Sequence, residues 1–234
     1  MGIFDNMRKP KGKLGQIQLK SMNIEHTPVA LCVLKHLDIK STDIILDVGC
    51  GGGININRMA KKAKKVYGID YSEDSVKVST DYNQDLIEKG IVEIKHGNVL
   101  NLPYDDNSFD VVTAFETVYF WPEIEKAFGE VKRVLKPGGT FLIGMEGNGD
   151  NSIVMRITEK LIDMTAHNDE ELTSYLENNN FNDITTYLKS KNKKEKVKTK
   201  DSVKLIDDDY NHFSFSDKFV EWTCIMAKKC RLPN

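Results

Sequence analysis

The sequence predicts an α/β protein built on a doubly wound, mostly parallel sheet. Three observations carry that expectation. Short β-branched runs alternate with segments of helical spacing from residue 44 to about residue 146, the rhythm of repeated strand–helix–strand units. The first run, Ile44-Ile45-Leu46-Asp47-Val48, opens directly into Gly49-Cys50-Gly51-Gly52-Gly53, as a buried strand does when it turns sharply into a helix. The chain has 234 residues, enough for one such sheet with additions and short for two full domains.

Each element follows from local pattern. Residues 1–23 are rich in Gly, Lys and Met with breakers at Pro10, Gly12 and Gly15, so this segment is expected to be loose without a ligand. Residues 24–38 read as a helix, with Pro28 suited to its first turn and apolar spacing close to 3.6 after it. Ser41-Thr42-Asp43 breaks to the first strand, 44–48, and a helix is expected over 54–63. Lys65 to Asp70 reads as the second strand. Ser72 then caps a helix whose first turn carries Glu73 and Asp74, where acids favour the helix dipole. Strands three and four are expected at 91–94 and 109–115. A helix from Ile124 to Leu135 shows an i, i+3, i+4 apolar stripe and is expected to end at Pro137-Gly138-Gly139, before a fifth strand at 140–144. Crossovers between the parallel strands should be right-handed.

After residue 146 the pattern changes. Polar helices are expected at 152–165 and 168–178, and Asn178-Asn179-Asn180 reads as a turn because Asn tolerates the left-handed conformation. Ile184–Leu188 and Phe219–Ala227 supply two more strands, for seven in all. Lys189–Lys200 is basic and poor in apolar residues, and is expected to be a solvated loop.

Composition narrows the function classes. Lys and Arg number 33 against 35 Asp and Glu, a net charge of -2, which steers the chain towards neither nucleic acid nor an anionic membrane. No apolar run approaches the ~18 residues of a membrane span. Met1–Lys13 has no apolar h-region and does not read as a signal peptide. Cys32, Cys50, Cys224 and Cys230 are scattered without a CxxC pair, so neither a disulfide framework nor a metal site is expected, and the chain reads as cytoplasmic with reduced thiols.

The glycine cluster carries the chemistry. Glycine lets backbone approach a ligand closely, and the following helix presents unpaired N–H groups to the turn. A dinucleotide loop requires G-x-G-x-x-G, and here Ile54 stands where the third glycine belongs. The pattern is instead Asp47-x-Gly49-x-Gly51-x-Gly53. An acid at Asp47 would repel a pyrophosphate and attract an ammonium. Asp70, 23 positions on at the end of the second strand, is placed to accept from both hydroxyls of a ribose.

Four stretches stand in order: Leu46–Gly53, Gly68-Ile69-Asp70-Tyr71-Ser72, Gly97–Asp110 and Arg133–Thr140. With them the chain resembles a class I S-adenosylmethionine-dependent methyltransferase, in the broad small-molecule group that includes the ubiquinone/menaquinone-biosynthesis C-methyltransferases. The resemblance implies a Rossmann-like, mostly parallel seven-stranded sheet with an antiparallel last strand and helices on both faces. It implies an N-terminal helical lid over residues 1–40, and a methyltransferase domain over 41–234 with a helical insertion at about 148–180. It makes S-adenosyl-L-methionine the cofactor and S-adenosyl-L-homocysteine the product. Asp47, Gly49, Cys50, Gly51 and Gly53 would pack on the methionine part, Asp70 would hold the ribose, and Asn98 and Val99 would contact the adenine. The family usually has Asp at position 98, and Asn can still accept through its side-chain carbonyl. Tyr71 could cover the adenine face.

The acceptor side is read from position in the sheet. Residues at the C-terminal end of the fourth strand, Phe115 to Trp121, should face the cofactor cleft, with Phe115 against the cofactor. Glu116 could orient or deprotonate an acceptor, and Tyr119 could wall its site. The family often carries a His pair near Tyr119, and neither His is present here. His26, in the segment before the first strand, is a second candidate base. A small-molecule acceptor is the leading expectation. An RNA or protein acceptor is disfavoured by near-neutral charge and by the lack of an Asn-Pro-Pro-Tyr-type tetrapeptide after strand four. A catalytically inactive cofactor-binding or scaffold protein is disfavoured by the intact loop. The acceptor atom is left open, as is the assembly, a homodimer being one option.

Overall fold

Ile45, Leu46 and Val48 are almost wholly buried because β1 (Ile44–Val48) lies in the middle of the sheet and is covered on both faces. In the computed structural model, which describes residues 12–147, 164–190, 194–206 and 221–230, β1 pairs in parallel with β2 (Lys65–Asp70) on one side and with β4 (Phe109–Phe115) on the other. β3 (Val92–His96) extends the sheet beyond β2, and β5 (Leu135–Glu146) extends it beyond β4, both in parallel. With β6 (Phe181–Lys189), β7 (Glu195–Thr199), β8 (Ser202–Ile206) and β9 (Trp222–Lys229), the strand order is β3-β2-β1-β4-β5-β9-β6-β7-β8. The order reverses between β1 and β4, and an open α/β sheet takes its ligand at such a switch point, beside the carboxyl ends of the strands.

Period-two alternation divides the core. Leu46, Val112 and Ile143 point to one face, where α6 (Ile124–Val134) buries Ala127, Phe128, Val131 and Val134. Full burial of each large side chain there contributes about 1.5–3 kcal/mol. Ile45, Val111 and Leu142 point to the other face, against Val29 and Val33 of α2 (Thr27–Leu34) and Ile56 and Met59 of α3 (Ile54–Ala60). α4 (Glu73–Tyr82) and α5 (Gln84–Glu88) connect β2 to β3, and α7 (Asp169–Asn178) precedes β6.

Several expectations are corrected. Among the described residues the sheet has nine strands rather than seven. β6 (Phe181–Lys189) and β9 (Trp222–Lys229) pair antiparallel with each other, and β9 pairs antiparallel with β5. The extra pair is a hairpin, β7 (Glu195–Thr199) and β8 (Ser202–Ile206), within and just after the stretch expected to be a solvated basic loop. On β7 lysines alternate with Glu195, Val197 and Thr199, so net basicity concealed a strand period. Lys198 bonds Asp169 on α7, while Glu195, on the other face, is 1 % exposed and takes Lys35 Nζ at 2.7 Å and His36 Nε2 at 3.1 Å. His36 in turn stacks on Tyr187 at 3.8 Å.

The N-terminal segment is helical over α1 (Gly12–Glu25), where looseness was expected, and the helix placed at 24–38 is two helices that meet at His26. α1 is anchored by Gly12 N–H and Gln16 Nε2, both donating to Asp74 at 2.9 Å, and by Leu19, which is 2 % exposed. Pro137-Gly138-Gly139 does not separate a helix from a strand. α6 stops at Val134, β5 starts at Leu135, and the register against β4 shifts between Phe109 and Val111 to absorb the extra residues. Gly138 has φ 80°, and a Cβ on Gly139 would lie 2.9 Å from Lys136 O. Residues 152–163 of the helix expected at 152–165, the part of the insertion before residue 164, and the first part of the lid lie outside the described residues.

Candidate active site

The loop after β1 turns on three glycines in the left-handed region, Gly49 (φ 75°), Gly51 (φ 50°) and Gly53 (φ 80°). They are not equivalent. A Cβ on Gly49 would sit 2.2 Å from Thr117 Oγ1, and one on Gly53 would sit 2.2 Å from Ser79 Oγ. Those two glycines allow close packing beneath the loop. Gly51 faces open space, its nearest neighbour being Leu19 of α1 at 4.0 Å. Asn83 fixes the far end of the loop by donating to Gly53 O at 3.0 Å.

Two carboxylates flank this cradle. Asp70 accepts from Gly51 N–H at 2.9 Å through one oxygen and from Ser72 N–H at 2.8 Å through the other. Ser72 caps α4 with its own hydroxyl, so Asp70 ties the loop to that helix start rather than serving as the cap. The Ser75 side chain also bonds this carboxylate, which keeps a further lone pair for a hydroxyl. Asp47 is 2 % exposed and receives the Thr113 hydroxyl at 2.7 Å. Burial, reinforced by Asp70, pushes its carboxyl up to about 7 against that hydrogen bond. Asp70 is likewise raised, chiefly by burial. The Cys50 thiol is pushed well above its usual value by burial and the two nearby acids, so it is an inert wall rather than a nucleophile.

From this cradle a cleft runs in two directions. One arm passes Ile69, Asp70 and Tyr71 to Gly97, Asn98 and Val99. Tyr71 is 57 % exposed, with its ring beside His96, and Val99 is buried. The Asn98 side-chain oxygen accepts from Leu100 N–H at 3.0 Å, which leaves it one lone pair for an adenine amino group. The other arm is bounded by Leu19, His26, Phe115, Glu116, Thr117 and Phe120. Here Glu116 has φ 54° and accepts the Tyr119 hydroxyl at 2.9 Å. Its second oxygen, Oε1, is buried with no hydrogen-bond partner of good geometry among the described residues, the Glu146 backbone lying close to the carboxyl. Burial raises Glu116 to about 8, with the Glu146 charge adding to the shift and the Tyr119 bond opposing it. His26 Nδ1 lies 3.7 Å from Glu146 Oε2, beyond hydrogen-bond distance.

The structure therefore gathers Asp47, Gly49, Cys50, Gly51, Asp70, Phe115, Glu116 and His26 around one arm, and Tyr71, Asn98 and Val99 around the other. Tyr119 reaches the site through Glu116, and Gly53 supports the loop from behind. Sequence reasoning missed Thr113, Thr117, Glu146 and Arg58. Thr113 alone had a readable signal, a hydroxyl residue in an apolar central strand. The donor set fits an S-adenosyl amino acid: a buried carboxylate for an ammonium, a second for ribose hydroxyls, and an open glycine where a chain can pass.

Strand order, glycine turn and the acid ending β2 define the class I methyltransferase fold. Residues 46–143 match the family model described as a methyltransferase domain. The chain is 34% identical over 109 residues to a demethylmenaquinone methyltransferase of Oceanobacillus iheyensis, covering 45% of each protein. It is 34% identical over 140 residues to the Staphylococcus saprophyticus protein of the same description, covering 58% of this chain and 59% of that one. These matches span about half the length of the curated relatives. The structure of Haemonchus contortus phosphoethanolamine N-methyltransferase 2 in complex with S-adenosyl-L-methionine shares the fold, with a TM-score of 0.72 at 16% identity over 99% of this chain and 61% of that one.

Proposed function

We propose that this protein transfers a methyl group from S-adenosyl-L-methionine to a small-molecule acceptor, releasing S-adenosyl-L-homocysteine. The observation that carries the reading is the continuity of the cleft. The Asp47–Asp70 cradle and Glu116, which Tyr119 holds from behind, border one cavity, so donor and acceptor ends are adjacent. When bound, S-adenosylmethionine supplies a methyl group already activated on a sulfonium. What remains for the protein is to orient, exclude water and accept a proton. Orientation alone can lower such a barrier by about 7–11 kcal/mol.

Asp47 receives the ammonium, Asp70 the ribose, and Tyr71, Asn98 and Val99 the adenine. Glu116 takes the acceptor's proton as its lone pair forms the bond to carbon and the carbon–sulfur bond breaks. Its buried Oε1, which meets no side-chain partner among the described residues, and its raised value of about 8 support that role, because a general base works best when poised near the working pH. Tyr119 holds the other oxygen. His26, with Glu146, borders the acceptor end from the N-terminal side. The α1–α2 segment acts as the lid of residues 1–40, a reading supported by Leu19 over Gly51. The similarity to demethylmenaquinone methyltransferases supports a small apolar or aromatic acceptor over RNA or protein. No described helix is long and apolar enough to cross a membrane. We place the protein in the cytoplasm, consistent with the free thiols of Cys50, Cys224 and Cys230, and leave a homodimer as the assembly to be examined.

The test is calorimetry with S-adenosylhomocysteine, followed by a screen of small-molecule extracts with labelled methyl donor. Binding together with label in a small-molecule product is expected. Absence of binding would overturn the enzyme reading. Label appearing only in RNA or protein would overturn the acceptor class.

A further inference from the structure

Arg58, in the last turn of α3, is a half-buried guanidinium bordering the same cavity as Asp47 and Asp70. Its partners are neutral. Nη1 donates to Asn55 Oδ1 at 2.7 Å, and Nη2 donates to Thr27 Oγ1 at 2.7 Å at the start of α2. No carboxylate among the described residues pairs with it, and burial lowers it from its usual value. A cation taken out of water beside two hydroxyl and amide oxygens is incompletely compensated, since buried charges are ordinarily paired. Its remaining N–H donors form a planar fork that matches a carboxylate in two parallel bonds.

The ligand end facing this fork has a defined chemistry. The cleft wall places an acid, Asp47, and a cation, Arg58, around one turn of glycine backbone. That arrangement complements a group carrying both an ammonium and a carboxylate, which is the head of an α-amino acid. We propose that Arg58 is the positioning residue that holds the α-carboxylate of the cofactor's amino-acid end, while its bond to Thr27 locks the base of the N-terminal cap against the occupied loop. This rests on the cofactor reading above, and it adds a residue that lies outside the glycine motif.

The test compares two ligands on the full chain by calorimetry: S-adenosylhomocysteine and its decarboxylated analogue, which keeps the adenosine, sulfur and amine. The wild type should prefer S-adenosylhomocysteine by about tenfold or more, the range of charge-assisted hydrogen bonds. Arg58→Gln should erase that preference while changing affinity for the decarboxylated analogue by less than about threefold, since a merely structural loss would weaken both ligands alike. Arg58→Lys keeps the charge without the fork and should retain part of the preference, which serves if the Gln variant fails to fold. Equal affinity of the wild type for the two ligands, or an undiminished preference in Arg58→Gln, would overturn the role of Arg58 and leave the cofactor reading standing. Failure of both ligands to bind the wild type would overturn the cofactor reading itself.

Discussion

Asp47 supplies the sharpest test of the cleft's electrostatics. In the ligand-free protein its carboxyl is raised to about 7, first by burial and further by Asp70, so at pH 6 it is mostly protonated. An ammonium needs the ionised form. Binding S-adenosylhomocysteine should therefore release a proton below pH 7, and affinity should fall about tenfold between pH 8 and pH 6, or about 1.4 kcal/mol. The sign for stability of the free protein is opposite. A carboxyl raised above its ordinary value of 3.8 contributes stability that is full below that value and is lost as pH rises through about 7. The ligand should thus tighten over the range in which the free protein weakens. Calorimetry at pH 6, 7 and 8, in buffers of differing ionisation enthalpy, reads both the affinity and the proton count. Asp47→Asn should bind weakly at every pH and release no proton. A flat profile in the wild type, or an unchanged slope in Asp47→Asn, would refute the pairing of Asp47 with the ammonium.

Four further outcomes are expected. Gly51→Val should abolish S-adenosylhomocysteine binding at a folding cost of only about 1–2 kcal/mol from its left-handed φ, because the space at Gly51 is open. Gly49→Ala should cost about 3 kcal/mol, or ~6–12 °C in Tm, because its Cβ meets Thr117, so melting and calorimetry should rank the two variants in opposite order. Asp70→Ala should weaken the ligand more than ~10-fold, since it loses the ribose contact and frees Gly51 N–H together; unchanged affinity would displace the ribose from this acid. With Glu116 at about 8, wild-type turnover should rise with pH and level off above that value, whereas Glu116→Gln should drop turnover about 10²-fold and flatten the profile.

What could be read from the sequence was local. β1, β2 and β4 are apolar, β-branched and bounded by turn residues, and they lie where the pattern put them. The glycine turn was legible because its chemistry sits in consecutive positions. The β7–β8 hairpin was concealed because its stretch is rich in lysine and the residue that fixes it, Glu195, meets Lys35 and His36 just past α2. Pro137-Gly138-Gly139 was misread because a helix stop and a strand irregularity use the same residues. Thr113, Thr117, Ser79 and Asn83 support the loop from other elements, and apart from Thr113, a hydroxyl in an apolar strand, nothing in their own neighbourhoods marks them. Arg58 looks from its sequence neighbours like any surface arginine on a short helix; only the fold turns it towards Thr27.

The Glu195 junction has a consequence for how the chain is made. Lys35 and Glu195 are 160 positions apart, and both sit in a buried contact that closes one face of the N-terminal cap. At about 5–20 residues per second on a ribosome, the acid emerges roughly 8–30 seconds after the lysine. Throughout that interval the cap has no hairpin to rest on, and β5 lacks β9 along its outer edge. The nascent chain can shape its cofactor loop early, yet the fold is fastened only when its final third is released.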